Sequence, residues 1–172
     1  RAIDNAAFLG SRSIRVCPGT GEDPAIIPEL VPFFQKSAAY AAGKGVYMGM
    51  ENHKGSIAGN PDACAELSSA VDSPHFGVLY EPANLMACGV DYKNAYAAFG
   101  DYVTHVHVKD SHVVDGTYER TMLGEGSIDY AWVTATVEAG GYTGDYALEF
   151  EIQDRVDIAI GLPKWLEYFL AL

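Results

Sequence analysis

Glu51, Glu81, His107 and Glu149 are the residues on which chemistry could be built. Each falls at or near the C-terminal end of a short segment that reads as a β-strand, and each segment is a different one. If those strands run parallel and curl into a barrel, their C-terminal ends meet on one face, where such folds build their sites. Three carboxylates in one apolar mouth repel one another unless a cation stands among them. Three oxygen donors and one imidazole suit a divalent ion of intermediate hardness, Mn²⁺ first, with Mg²⁺, Co²⁺ and Zn²⁺ as alternatives. Singly, a Glu at a strand end is more often a solvated or paired group; the argument rests on four such residues recurring on successive strands.

The stretch from Thr104 to Asp110 (THVHVKD) sharpens this picture. Strand parity puts His105, His107 and Lys109 on one face, with Val106 and Val108 on the other. A polar inner face backed by an apolar outer one fits a barrel strand that carries a site; an edge strand with a solvated face would alternate in the same way. His105 lies deeper and reads as a hydrogen-bonded histidine behind the site. Lys109 either approaches a substrate oxygen or pairs with a carboxylate. Glu151 shares the parity of Glu149. His75 and His112 fall outside the pattern and read as surface residues.

These positions require a scaffold. Strands are expected over 13–17, 45–52, 76–80, 102–108 and 146–152, and helices over 28–42, 60–71, 91–99, 129–139 and 154–172. Asn60 is a fitting N-cap with Pro61 at the first helical position, and Asp129 or Ser127 can cap the fourth helix. The first helix starts at Pro28, or at Pro32 if that second proline marks its true beginning. Gly43, Gly100 and Gly140-Gly141 end helices. No hairpin is expected between consecutive strands, and residues 111–128 read as a long loop. Strand–helix alternation needs crossover connections, hence an α/β fold with a parallel sheet. A (β/α) barrel and an open doubly wound sheet both satisfy that order. No GxGxxG or P-loop is present, and Gly124-Glu-Gly126 is too short to stand for either.

Composition narrows the function classes. The chain has 172 residues, 49% of them hydrophobic and 20% charged, which excludes a disordered chain. Eleven Lys and Arg against 23 Asp and Glu give a net charge of −12, which argues against a nucleic-acid partner. No apolar run reaches the roughly 18 residues of a membrane span. Cys17, Cys64 and Cys88 form no CxxC, so free thiols in a reducing, cytoplasmic setting are expected. The N-terminal stretch lacks the features of a signal peptide, and without an initiator Met it reads as cut from something longer.

Taken in order, Leu9-Gly10, Ile14-Arg-Val16, Met50-Glu-Asn-His53, Tyr80-Glu-Pro-Ala-Asn-Leu85, His105-Val-His-Val-Lys-Asp110, Leu123-Gly-Glu-Gly-Ser-Ile-Asp129 and Leu148-Glu149 resemble the xylose-isomerase-like TIM-barrel superfamily of sugar isomerases and epimerases. The resemblance implies a single domain over 1–172: the C-terminal part of an eight-stranded barrel, a partial TIM (β/α)₈ barrel of five parallel βα units equivalent to strands 4–8, beginning within the helix after the third strand. It implies metal ligation by Glu51, Glu81, His107 and Glu149, with Glu81 standing where the family usually has Asp. It places Asn84 among the substrate-facing residues, to which His53, Lys109 and Arg120 are added, Arg120 as the candidate for an anionic group.

The activity this implies is isomerisation or epimerisation of a small sugar or hydroxy-carbonyl compound through a cis-enediolate, with Glu51 and Glu149 as the acid/base pair. A keto-inositol type dehydratase is the alternative within the superfamily, and an inactive barrel fragment the non-enzymatic one. An abasic-DNA endonuclease, also found on this fold, needs a His-rich multi-zinc site and a basic face, which five histidines and the acidic charge disfavour. The expected partner is a small sugar-like molecule. Open sheet edges are expected to make the chain a homo-oligomer.

Overall fold

The computed structural model describes residues 1–172. In chain order its elements are α1 (Ala2–Leu9), β1 (Ser13–Val16), α2 (Ile27–Ala42), β2 (Tyr47–Glu51), α3 (Pro61–Val71), β3 (Phe76–Tyr80), α4 (Pro82–Ala87), α5 (Tyr92–Phe99), β4 (Val103–Val108), β5 (Asp110–Val114), β6 (Thr117–Thr121), α6 (Tyr130–Ala139), β7 (Tyr146–Leu148) and α7 (Ile158–Leu170). Five strands form one sheet in the order β1-β2-β3-β4-β7, and every neighbouring pair is parallel. This is the α/β architecture of a partial TIM barrel, open between β1 and β7.

Side-chain parity explains why the sheet faces as it does. Met48, Met50, Val78, Tyr80, Val106 and Val108 are buried in a common core with Phe34, Ala38, Leu67, Phe99, Val133 and Trp165 of the helices. The alternate residues are left for the inner face, and there lie Glu51 and His107. Gly77 is needed for close approach: a Cβ there would overlap the Tyr102 carbonyl oxygen of the adjoining β4 segment.

The helix starts follow local capping chemistry. The Asn60 side chain accepts from Asp62 and Ala63 N–H, with Pro61 opening α3. Of the two caps considered for α6, Asp129 serves, accepting from Trp132 N–H. Helix α2 begins at Ile27, and Pro32 sits inside it rather than starting it.

Four sequence expectations are corrected. Residues 110–121 are not a loop but an antiparallel hairpin, β5–β6. Its turn is Asp115-Gly116, with φ of 50° and 77°, the left-handed pair that an Asp-Gly dipeptide favours in two-residue hairpins. Strand β7 ends at Leu148 instead of running to 152, so Glu149 and Glu151 stand in the extended segment beyond it. Residues 82–87 form an additional short helix, α4, directly after Glu81. The last helix begins at Ile158, after an Asp157 cap, and not at 154.

Candidate metal centre

The four residues singled out above come together. Glu51 is the last residue of β2, and Glu81 follows β3 directly and caps α4, its Oε1 accepting from Ala83 N–H at 3.3 Å. His107 lies within β4, opposite Ala147 of β7. Glu149 follows β7, and its N–H extends the ladder to the Val108 carbonyl at 3.0 Å. One ligand atom from each of the four lies within 4.8 Å of all the others. The His107 Nδ1 is 3.3 Å from Glu51 Oε1, 3.3 Å from Glu81 Oε2 and 3.6 Å from Glu149 Oε2.

Glu51 and Glu81 are buried, Glu81 completely. Two of the converging atoms, Glu81 Oε2 and His107 Nδ1, are shielded from water and make no well-formed hydrogen bond. Such groups are costly to bury unless something satisfies them. Burial alone would lower the His107 pKa, but the Glu149, Glu51 and Glu81 carboxylates overcome it and push the imidazole up to about 11. Burial raises the Glu81 pKa against the opposing pull of His107 and Lys109. Glu149 is also penalised by burial, yet His107 and Lys109 hold it well below the usual carboxylate range. Three carboxylates thus crowd one imidazole, with Arg15 and Lys109 offsetting part of their charge from behind. The donor set, three carboxylates and one imidazole with orphaned atoms aimed at a common point, fits a divalent ion.

A second circle of polar groups holds these four in place. Lys109 is 1% exposed. Its Nζ lies 2.6 Å from Glu149 Oε2, 2.8 Å from Glu151 Oε2 and 3.9 Å from Glu81 Oε2. Of the two roles left open for Lys109, the structure shows the carboxylate pairing. The Tyr130 hydroxyl pins the Lys109 backbone, donating to its carbonyl at 2.7 Å and accepting from its N–H at 2.8 Å. Arg120, on β6, pairs with Glu151, with Nη2 3.3 Å from Oε2.

Three supporting residues escaped the sequence reading. Arg15 of β1 donates through Nη1 to Glu51 Oε2 at 2.8 Å. Its place opposite Gly49, on the polar side of a short alternating strand, was the available signal. Asn52 is fully buried and accepts from Glu81 N–H at 3.2 Å while donating to the Ala58 carbonyl at 3.1 Å. Asp110 is 1% exposed and gathers N–H groups from Ser111, Gly124, Gly126 and Ile128, closing the segment after β6 onto the end of β4. A Cβ at Gly126 would fall inside the Asp110 carboxylate. The Gly124-Glu-Gly126 motif therefore wraps an internal carboxylate.

The remaining candidates are more peripheral. Asn84 is half-buried on α4 with no side-chain hydrogen bond to the protein. His53 is exposed, its Nδ1–H donating to the Lys54 carbonyl at 2.7 Å, at the rim of a cleft beside Glu51. His105 lies behind the site, with Nδ1 3.3 Å from Ser13 Oγ. His75 is not a plain surface residue: it is half-buried, stacks on Tyr47 and donates to the Val46 carbonyl at 2.9 Å. Cys17, Cys64 and Cys88 are all unpaired. No helix is long and apolar enough to cross a membrane.

Comparison with known proteins places this geometry. A family model described as xylose isomerase-like TIM barrel matches residues 1–168. The chain is 26% identical to the uncharacterized protein MJ1311 of Methanocaldococcus jannaschii, over 96% of this chain and 60% of that protein. Among solved structures, a xylose isomerase domain protein from Planctomyces limnophilus superposes with a TM-score of 0.79 at 23% identity, over 99% of this chain and 62% of that one. A xylose isomerase-like TIM barrel protein from Mycobacterium smegmatis, solved in complex with magnesium, gives 0.83 at 19% identity, over 99% and 63%. The chain thus spans about three-fifths of the length of each of these proteins.

Proposed function

Because the chain belongs to the xylose isomerase-like TIM barrel family, we propose that Glu51, Glu81, His107 and Glu149 hold a divalent metal for the isomerisation or epimerisation of a small sugar or hydroxy-carbonyl compound. The observation that carries this is the convergence of four ligand atoms within 4.8 Å. Mn²⁺ leads on the donor set, with Mg²⁺, Co²⁺ and Zn²⁺ as alternatives. Held by these four residues, such an ion would polarise a carbonyl oxygen and stabilise negative charge developing beside it.

The chain's own residues supply the rest. Glu51, the last residue of β2, and Glu149, just beyond β7, are the acid/base pair of this reading, one to take a proton from the substrate and the other to return it. Arg15 and Lys109 fix the orientation of those two carboxylates. Lys109 and His107 keep Glu149 ionised, the form that ligates a cation, while the same pull weakens it as a base. Support for a sugar-like substrate comes from a solved protein of the same fold, a D-allulose 3-epimerase from Methylomonas in complex with D-allulose, with a TM-score of 0.74.

The test is hydrogen exchange in D₂O on a panel of dihydroxyacetone, hydroxypyruvate, D-allulose and a keto-inositol. Metal-dependent deuterium incorporation next to the carbonyl, lost on chelation, is expected with at least one of the first three. Loss of water from the keto-inositol without exchange in the others would assign the dehydratase reaction instead. No exchange with any of the four metals would overturn the reading.

We also propose self-association. β1 and β7 each present an unpaired edge, and Phe8, Leu9 and Leu170 are 89%, 78% and 75% exposed on the flanking helices. Unpaired edges and apolar patches recruit other chains. Light scattering on this chain is expected to show a mass above the monomer that rises with concentration; a monodisperse monomer would contradict it.

A further inference from the structure

We infer that Glu151 is a positioning residue for the metal centre: it holds the Lys109 ammonium with a carboxylate that the ion does not use, and so frees Glu149 and Glu81 to ligate. The inference rests on the metal-site reading and adds a residue to it.

The difficulty that Glu151 resolves is visible in the distances. Lys109 Nζ lies 2.6 Å from Glu149 Oε2 and 3.9 Å from Glu81 Oε2. The same two oxygens face His107 Nδ1, at 3.6 Å and 3.3 Å. An ammonium and a divalent cation therefore claim the same oxygens. They also repel each other, and water screens them little, because Lys109 is 1% exposed. A buried charge stripped of its partner is costly. A lysine with no other acceptor would thus hold these carboxylates against the metal.

Glu151 is that other acceptor. Its Oε2 lies 2.8 Å from Nζ. It is not among the four residues whose ligand atoms converge, and it is 38% exposed at the edge of the site. It stands two residues beyond Glu149 in an extended segment, so both side chains leave the same side of the chain. Groups outside the centre hold both partners. The Tyr130 hydroxyl fixes the Lys109 backbone. Arg120 of β6 brings Nη2 to 3.3 Å from Glu151 Oε2 and Nη1 to 3.5 Å from the Glu151 carbonyl oxygen. Arg155 Nη2 in turn donates to the Arg120 carbonyl at 2.6 Å. Glu151 is tied to the hairpin on one side and to the ammonium on the other.

Charge supports the same role. Arg15, Lys109 and Arg120 stand against Glu51, Glu81, Glu149 and Glu151. With a divalent ion and the neutral imidazole that ligation requires, this group carries one net positive charge. Without Glu151 it would carry two, in a place where most members are buried.

Mn²⁺ affinity, read by electron paramagnetic resonance titration of the full chain, tests this through a double-mutant cycle. Glu151→Gln is expected to weaken Mn²⁺ binding about tenfold, the lower end of what loss of a supporting group costs. In a Lys109→Met background the same substitution should change the affinity by less than about twofold, because no ammonium is left to hold. A like loss in both backgrounds would overturn the inference, since Glu151 would then act on the ion directly, as a ligand or through its charge. Equal affinity of Glu151→Gln and wild type would overturn it as well. If Lys109→Met does not fold, Glu151→Asp decides, because it keeps the charge and draws the carboxylate back from Nζ by one methylene. A severalfold loss there upholds the positioning role, and wild-type affinity overturns it. Absence of Mn²⁺ binding to the wild type is a separate outcome: it removes the metal-site reading itself, and this inference with it.

Discussion

Replacing Glu149 by Gln is expected to lower deuterium exchange at the substrate carbon by about 10²–10⁴-fold, the usual worth of a positioned general base. The amide keeps the size and the outer shape of the carboxylate but cannot accept the proton. It also retains an oxygen that can face Lys109 Nζ, now 2.6 Å from Oε2, so substrate binding should change little. The effect is expected in kcat more than in KM, since what is lost acts on the reacting atoms. Undiminished exchange would move the base to another carboxylate; Glu151, 2.8 Å from the same ammonium, is next in line. Exchange measured by NMR in D₂O at saturating substrate, beside a metal titration of the variant, separates this outcome from a loss of metal or substrate binding, since Glu149 is also a proposed ligand.

The second large effect concerns stability. Lys109→Met is expected to destabilise the fold by about 3 kcal/mol, near the lower end of what removal of one partner from a buried ion pair costs. The Lys109 side chain is 2% exposed and sits against three carboxylates. Methionine preserves the aliphatic stem but leaves Glu149 and Glu81 facing each other with only His107 between them. Glu151 is 38% exposed, so water relieves its share of the penalty, which keeps the figure from rising further. Urea unfolding of variant and wild type, compared at equal slope, reads the difference. A variant as stable as the wild type would show that the ammonium does not hold this cluster together.

How far the sequence disclosed these features depended on the range of the interaction involved. Strand parity is local, so THVHVKD revealed which side of β4 His107 and Lys109 occupy. Helix caps are local as well, and Asn60 and Asp129 could be read directly. The hairpin was missed although Asp115-Gly116 is a strong turn signal, because its charged strands (TYERT in β6) lack the alternation of a half-buried sheet and read as loop. What lay beyond reach were contacts between side chains and distant backbone. Nothing around Asp110 announces that it will collect N–H groups from 14 to 18 residues downstream. Arg15 and Glu51 are 36 residues apart, and only the β1–β2 register makes them neighbours. The end of β7 was overrun for a related reason: Glu149 and Glu151 keep strand parity, but the Glu149 N–H makes the last ladder bond, and both carboxylates turn to the Lys109 ammonium.

The central claim is that four side chains, in or directly after four strands, bind one divalent ion, and Mn²⁺ titration followed by electron paramagnetic resonance tests it most directly. The expected result is one Mn²⁺ per chain with a nitrogen coupling from a single imidazole. That coupling should vanish in His107→Ala. The affinity should fall in Glu81→Ala by more than the roughly 10–100-fold that loss of a supporting residue gives. Absence of a bound ion, or a nitrogen coupling that persists without His107, would contradict the account.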